Sequence, residues 1–136
     1  MATVQVTEKT FGDSVKTGIA VLDWWAPWCG PCRAFAPVFE RVSEQTPDVV
    51  FGKINTDEEQ GLAAAFEITA IPTLMIFREG ILLFAQPGVV SADALASLLE
   101  QVKALDMDEV RRKLAAAEAE VKAKTENEPE AKPPEA

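Results

Sequence analysis

The sequence predicts an α/β fold in which a central five-stranded mixed sheet is flanked by helices on both faces. Three observations lead there. Apolar runs of strand length at 19–25 and 49–54 are separated by a segment whose apolar residues recur at helical spacing. That is the pattern of parallel strands joined by a crossover helix and covered on both sides. Further on, 73–78 and 81–86 are joined only by Glu79-Gly80, a loop so short that these two strands must run antiparallel. Last, Ser91 precedes a run with Leu95, Leu98, Leu99, Val102 and Leu105 on one stripe, the mark of a capped amphipathic helix.

Taken in order, residues 4–7 read as a short first strand and 11–16 as a short helix ended near Gly18. The run 19–25 is the second strand. A helix follows from Pro31 to about residue 45, with Phe35, Val38, Phe39 and Val42 on its buried side. Pro31 suits a first helical turn because its φ is already fixed near the helical value. Pro37 lies inside the same helix and is expected to kink it, since the apolar spacing continues beyond. Residues 49–54 form the third strand, 58–66 a short helix, and 68–71 lead into Pro72. The hairpin and the last helix of the domain complete a β-α-β-α-β-α-β-β-α order over residues 1–105.

Beyond Leu105 the composition shifts. Residues 106–136 hold nine acidic and six basic side chains, so most of the segment must stay solvated. Within 106–124 a helical extension is expected, because Met107, Val110, Leu114, Ala117 and Val121 alternate steps of three and four. Two heptads fall short of the three or four that mark a coiled coil. The stripe still needs something to face: another protein, a second copy or weak docking on its own domain, with one of the first two the expectation. Residues 125–136 carry four Glu and three Pro and no large apolar residue, a composition expected to be disordered.

Composition excludes several classes. A hydrophobic content of 48% in 136 residues supplies a full core. A net charge of −9 argues against binding to nucleic acid. No run approaches the ~18 apolar residues of a membrane span, and the start Met1-Ala2-Thr3-Val4-Gln5-Val6 has no signal-peptide character. Two cysteines in a chain without a secretion signal fit a reducing compartment, the cytoplasm, where such a pair is catalytic more often than structural.

Both cysteines fall in Trp28-Cys29-Gly30-Pro31-Cys32, just after the apolar strand. The spacing lets two thiols meet in a small ring, so the pair can be reduced and oxidised without unfolding anything. Cys29 falls at the start of the helix, where unpaired N–H groups and the positive end of the helix dipole favour a thiolate. The helix start exposes Cys29, and Cys32 lies one turn in and partly covered. Other readings remain open. A structural zinc site needs about four N/S ligands, and the chain has two Cys and no His. A static disulfide closing so short a loop adds little stability. A metal or iron–sulfur cluster held between two chains, or a binding subunit without turnover, would use the same residues. Asp23, inside the apolar strand, is either turned to solvent or a buried acid whose pKa burial raises, fit to move protons.

Over roughly residues 4–105 the chain resembles the bacterial thioredoxins. The resemblance rests on Asp23-Trp24-Trp25-Ala26-Pro27-Trp28-Cys29-Gly30-Pro31-Cys32-Arg33, on Lys53-Ile54-Asn55-Thr56-Asp57, on Ile71-Pro72-Thr73 and on Gly88. Trp24 stands where Phe or Tyr is common, and Val89 where a smaller residue often follows the glycine. The resemblance implies a thioredoxin fold and a protein-disulfide reductase without a bound cofactor, recharged by a flavin- and NADPH-dependent thioredoxin reductase. It implies that Cys29 attacks client disulfides and Cys32 resolves the mixed disulfide. It also implies that Asp23, biased by Lys53, exchanges protons with Cys32. Ile71-Pro72 is expected to be cis and to lie opposite the cysteines. Trp28, Gly30, Pro31, Ile71, Pro72, Thr73, Gly88 and Val89 are then expected to form the surface on which client proteins land.

Overall fold

The computed structural model describes residues 2–127; the acidic, proline-containing end expected to lack order lies, from residue 128 on, outside the described residues. Five strands form one sheet, β1 (Thr3–Gln5), β2 (Ile19–Trp25), β3 (Val49–Asn55), β4 (Thr73–Arg78) and β5 (Ile81–Pro87), in the spatial order β1-β3-β2-β4-β5. β1 and β2 both run parallel to β3, while β4 is antiparallel to β2 and β5 antiparallel to β4. The helices are α1 (Phe11–Val15), α2 (Gly30–Gln45), α3 (Gln60–Ala65), α4 (Ala92–Ala104) and α5 (Met107–Asn127).

Strand alternation assigns each face its own core. Val21, Phe51, Leu74 and Ile76 pack with Phe35, Phe39 and Val42 of α2 and Leu95, Leu99 and Val102 of α4. The residues between them, Leu22, Trp24, Ile54, Met75 and Phe77, point the other way, onto Val6, Val15, Phe11, Leu62 and Phe66. β2 is therefore covered on both sides, which is why its sequence is apolar almost throughout. Gly52 of β3 is required by a close approach. A Cβ there would lie 2.6 Å from Val6 Cγ2 and 2.9 Å from Leu22 Cδ2.

The hairpin turns on Glu79 and Gly80, both at positive φ (53° and 82°), the backbone of a two-residue turn whose twist matches the strands. The Ser91 hydroxyl accepts from Ala94 N at 3.1 Å and so caps α4. At its other end the Arg78 guanidinium donates to the Val102 carbonyl at 2.8 Å, satisfying an orphan group of the last turn. α3 begins at Gln60, two residues later than expected. The Asn55 side chain holds the preceding turn instead, accepting from Asp57 N at 2.9 Å and donating to Glu58 Oε1 at 3.1 Å.

The chain divides into two compact units, Met1–Val102 and Lys103–Ala136. In the second, α5 is 21 residues long and reaches Asn127. Ala115, Ala116, Ala117, Ala119 and Ala123 supply high helix propensity along it.

Candidate functional site

The C-terminal end of β2, the N-terminus of α2 and the loop before β4 meet at the two cysteines. Cys29 is the residue that caps α2: its backbone is extended and its sulfur accepts from Cys32 N at 3.2 Å. Pro31 sits inside the first turn, where its missing N–H costs no hydrogen bond. Cys29 and Cys32 are joined in a disulfide, with Cα atoms 5.2 Å apart. Ala26, Trp25 and Ile71 pack around them.

Both cysteines are buried, at 5% and 2% exposure. The difference in cover expected from sequence is therefore small, because Ile71 and Ala26 shield the first sulfur as well as the second. What distinguishes the two is the backbone. Only Cys29 has its sulfur in the capping position, where an N–H of the first turn points at it. That is the end of the helix at which the backbone dipole favours negative charge.

The Ile71–Pro72 bond is cis. The Ile71 carbonyl oxygen lies 3.8 Å from the Cys29 sulfur. Pro72 is buried and its carbonyl accepts from Gly88 N at 2.8 Å, which ties the β5–α4 loop to the site. Around this centre Gly30, Pro31, Gly88 and Val89 are exposed, Ile71 is half-buried, and Trp28 is 68% exposed. Thr73 is different. It is buried between Trp24 and Pro87 in register, and its hydroxyl donates to the Ala70 carbonyl at 2.6 Å. Its side chain holds the loop and is not part of the exposed surface.

Asp23 is fully buried on β2, and neither carboxyl oxygen has a hydrogen-bond partner among the described residues. Burial pushes its pKa from 3.8 up to about 7, and the positive charge of Lys53 opposes the shift. Lys53 is opposite Asp23 in the parallel register of β2 and β3, so both side chains leave the same face. Its ammonium also lies 4.8 Å from the centre of the Trp25 ring, an attraction between cation and π-face. Sequence gave no hint of that contact. Nor did it reveal what holds Trp28: the indole N–H lies between the two Asp57 carboxylate oxygens, at 3.2 and 3.1 Å. The only signal for Asp57 was its place in the Lys53–Asp57 string. Among the described residues no group of three or more His, Cys, Asp or Glu is placed to hold a metal ion.

A disulfide at a helix start, a carboxyl that burial pushes up to about 7 and an exposed rim of Trp28, Pro31 and Val89 together suit two-electron exchange with a protein disulfide. Comparison with known proteins agrees. The sequence model of the thioredoxin family matches residues 2–101. A Streptomyces coelicolor protein assigned as thioredoxin 2 is 48% identical over 120 residues, 88% of this chain and 90% of that protein. Thioredoxin 1 of Synechococcus elongatus is 44% identical over 99 residues, 71% of this chain and 92% of the relative. Among solved structures, a mutant thioredoxin from Halobacterium salinarum superposes with a TM-score of 0.70 at 34% identity, covering 76% of this chain and 92% of that one.

Proposed function

The chain belongs to the thioredoxin family and is a dithiol–disulfide oxidoreductase, and from that premise we propose a division of labour among its residues. The capping geometry of Cys29 carries the reading. In the reduced protein the Cys29 thiolate attacks one sulfur of a client disulfide. A mixed disulfide forms, and the other client sulfur leaves as a thiolate and takes a proton from water. Cys32 then gives its proton to the Asp23 carboxylate and attacks the Cys29 sulfur. The Cys29–Cys32 bond forms, the mixed disulfide breaks, and the second client thiolate departs. Two electrons have moved to the client.

Asp23 suits this step because a pKa of about 7 leaves both its forms populated near neutrality. Water bridges carboxyl and thiol in this reading, and Lys53 keeps the pKa from rising further. Trp28, Ile71, Pro72, Gly88 and Val89 receive the client, with Gly30 and Pro31 setting the width of the cysteine loop. The electrons reside on the cysteine pair itself. A flavin- and NADPH-dependent thioredoxin reductase restores the dithiol, and the setting is the cytoplasm, where the carrier serves cell redox balance. No described helix is long and apolar enough to cross a membrane.

Trapping tests the assignment. A Cys32→Ser variant mixed with a disulfide-bearing client such as insulin is expected to accumulate a covalent adduct that thiol reagents release. Adducts through Cys32 in a Cys29→Ser variant, with none in Cys32→Ser, would reverse the roles.

A further inference from the structure

α5 is outside the family match, which ends at residue 101, and the redox chemistry makes no use of it. Its sequence is nevertheless not arbitrary. An alignment with the Streptomyces relative that spans 120 residues of this 136-residue chain cannot fit within the first 105. The helix spans 21 residues, or three full heptads, one more than the apolar spacing alone delimits. Met107, Leu114 and Val121 fall at one core position of that repeat, and Val110, Ala117 and Lys124 at the other; Met107 is already buried, so the stripe left to pair runs from Val110 to Val121. Leu114 is 43% exposed and Ala117 is exposed as well.

The charges beside this stripe are ordered. The two positions flanking it in the N-terminal half hold Arg111 and Lys113, and the same two positions one heptad later hold Glu118 and Glu120. Asp108, Glu109, Arg112 and Lys122 fall on the outer positions, away from the stripe. Such a helix is complementary to a reversed copy of itself. In an antiparallel pair Lys113 of each chain meets Glu120 of the other, and Arg111 meets Glu118. Leu114 then packs opposite Ala117, a large residue against a small one, and Val110 opposite Val121. The parallel arrangement would instead stack Ala117 on Ala117, with a hole beside Leu114 on Leu114.

We propose that α5 is a self-association element, and that two copies of the chain pair through it as an antiparallel coiled coil. Lys113 now pairs with Glu109 in its own helix at 3.3 Å, but its side chain is 76% exposed, which leaves it free to reach across. The N-termini of two such helices lie about 30 Å apart, so the segments that precede them enter from opposite ends. Four apolar layers, two of them Leu114 against Ala117, with Lys124 at the next core position, make a weak pair, and added salt weakens it further.

Sedimentation equilibrium of the full chain over a concentration series tests this, with insulin reduction run in parallel as a check on folding. The expected mass rises from 14.7 kDa toward twice that value. Leu114→Lys is expected to hold it at 14.7 kDa throughout, with insulin reduction unchanged. Lys113→Glu should raise the dissociation constant by about tenfold, 1.4 kcal/mol. Adding Glu120→Lys to that variant should bring it back to the original value, because the reversed pairs are again opposite in sign. A single-chain mass for the unaltered protein at all concentrations overturns the proposal. So does a Leu114→Lys variant that dimerises as before, and failure of the double exchange to restore pairing overturns the antiparallel geometry.

Discussion

Replacing Asp23 with Asn removes the most costly side chain of the sheet. The carboxyl is fully buried without a partner, and its pKa is about 7 in the folded protein against 3.8 for a free side chain. Below the lower value both folded and unfolded chains are protonated, and the ionisation of Asp23 costs nothing. As pH rises from there, the unfolded chain ionises while the folded one stays protonated, so each pH unit removes about 1.4 kcal/mol of stability. Above about 7 the folded form ionises too and the cost levels off at about 4 kcal/mol. Asn fills the same space without ionising. Lys53 does not become a stranded charge, because it is half exposed and keeps its place over the Trp25 ring. The oxidised Asp23→Asn variant should therefore match the parent in urea near pH 4 and gain on it through pH 7. Above that its midpoint should stay higher by about 2 M, given a denaturant slope of 1–3 kcal/mol per M. An advantage that is the same at pH 4 and pH 8, or a parent that is the more stable at pH 8, would refute the burial argument.

Three further outcomes follow from the same geometry. Asp23→Asn, despite its stability, should slow release of reduced client near neutral pH by about a hundredfold or more while leaving formation of the mixed disulfide intact, as single-turnover kinetics would resolve. Lys53→Met removes the charge that opposes the shift on Asp23, so the pH midpoint of client release, and the Asp23 carboxyl resonance in NMR titration, should both move upward. Gly52→Ala puts a methyl group into contact with Val6 and Leu22, both fully buried. It should cost about 1–3 kcal/mol in urea melts and leave the rate of insulin reduction per folded molecule unchanged.

Where a signal is local and periodic, sequence suffices. The apolar runs of β2 and β3, the helical spacing of Phe35, Phe39 and Val42, and the two-residue turn at Glu79-Gly80 each constrain the backbone within a few residues. The cysteines, the helix start and the buried acid were legible for the same reason. Contacts between distant segments were not. Ile71 covers the Cys29 sulfur from 42 residues away, and Asp57 reaches Trp28 across 29. Nothing in the spacing of either residue announces its partner. The late start of α3 is a subtler case: Asn55 captures the turn with its side chain, and that competition leaves no trace in hydrophobic pattern.

With Trp28 in the proposed landing surface, its clasp to Asp57 has a thermodynamic consequence for the encounter with a client. A tryptophan that is 68% exposed would ordinarily sample several rotamers, and a client settling on it would have to freeze that motion. Immobilising one such side chain on binding costs about 0.5–1.5 kcal/mol. Here the two carboxylate contacts at 3.2 and 3.1 Å hold the indole in one pose while the surface is still empty. The ordering is done during folding, by a turn that takes no part in the chemistry. On the landing surface proposed above, the ring would meet a client preorganised, and the entropy of docking would be charged to the scaffold.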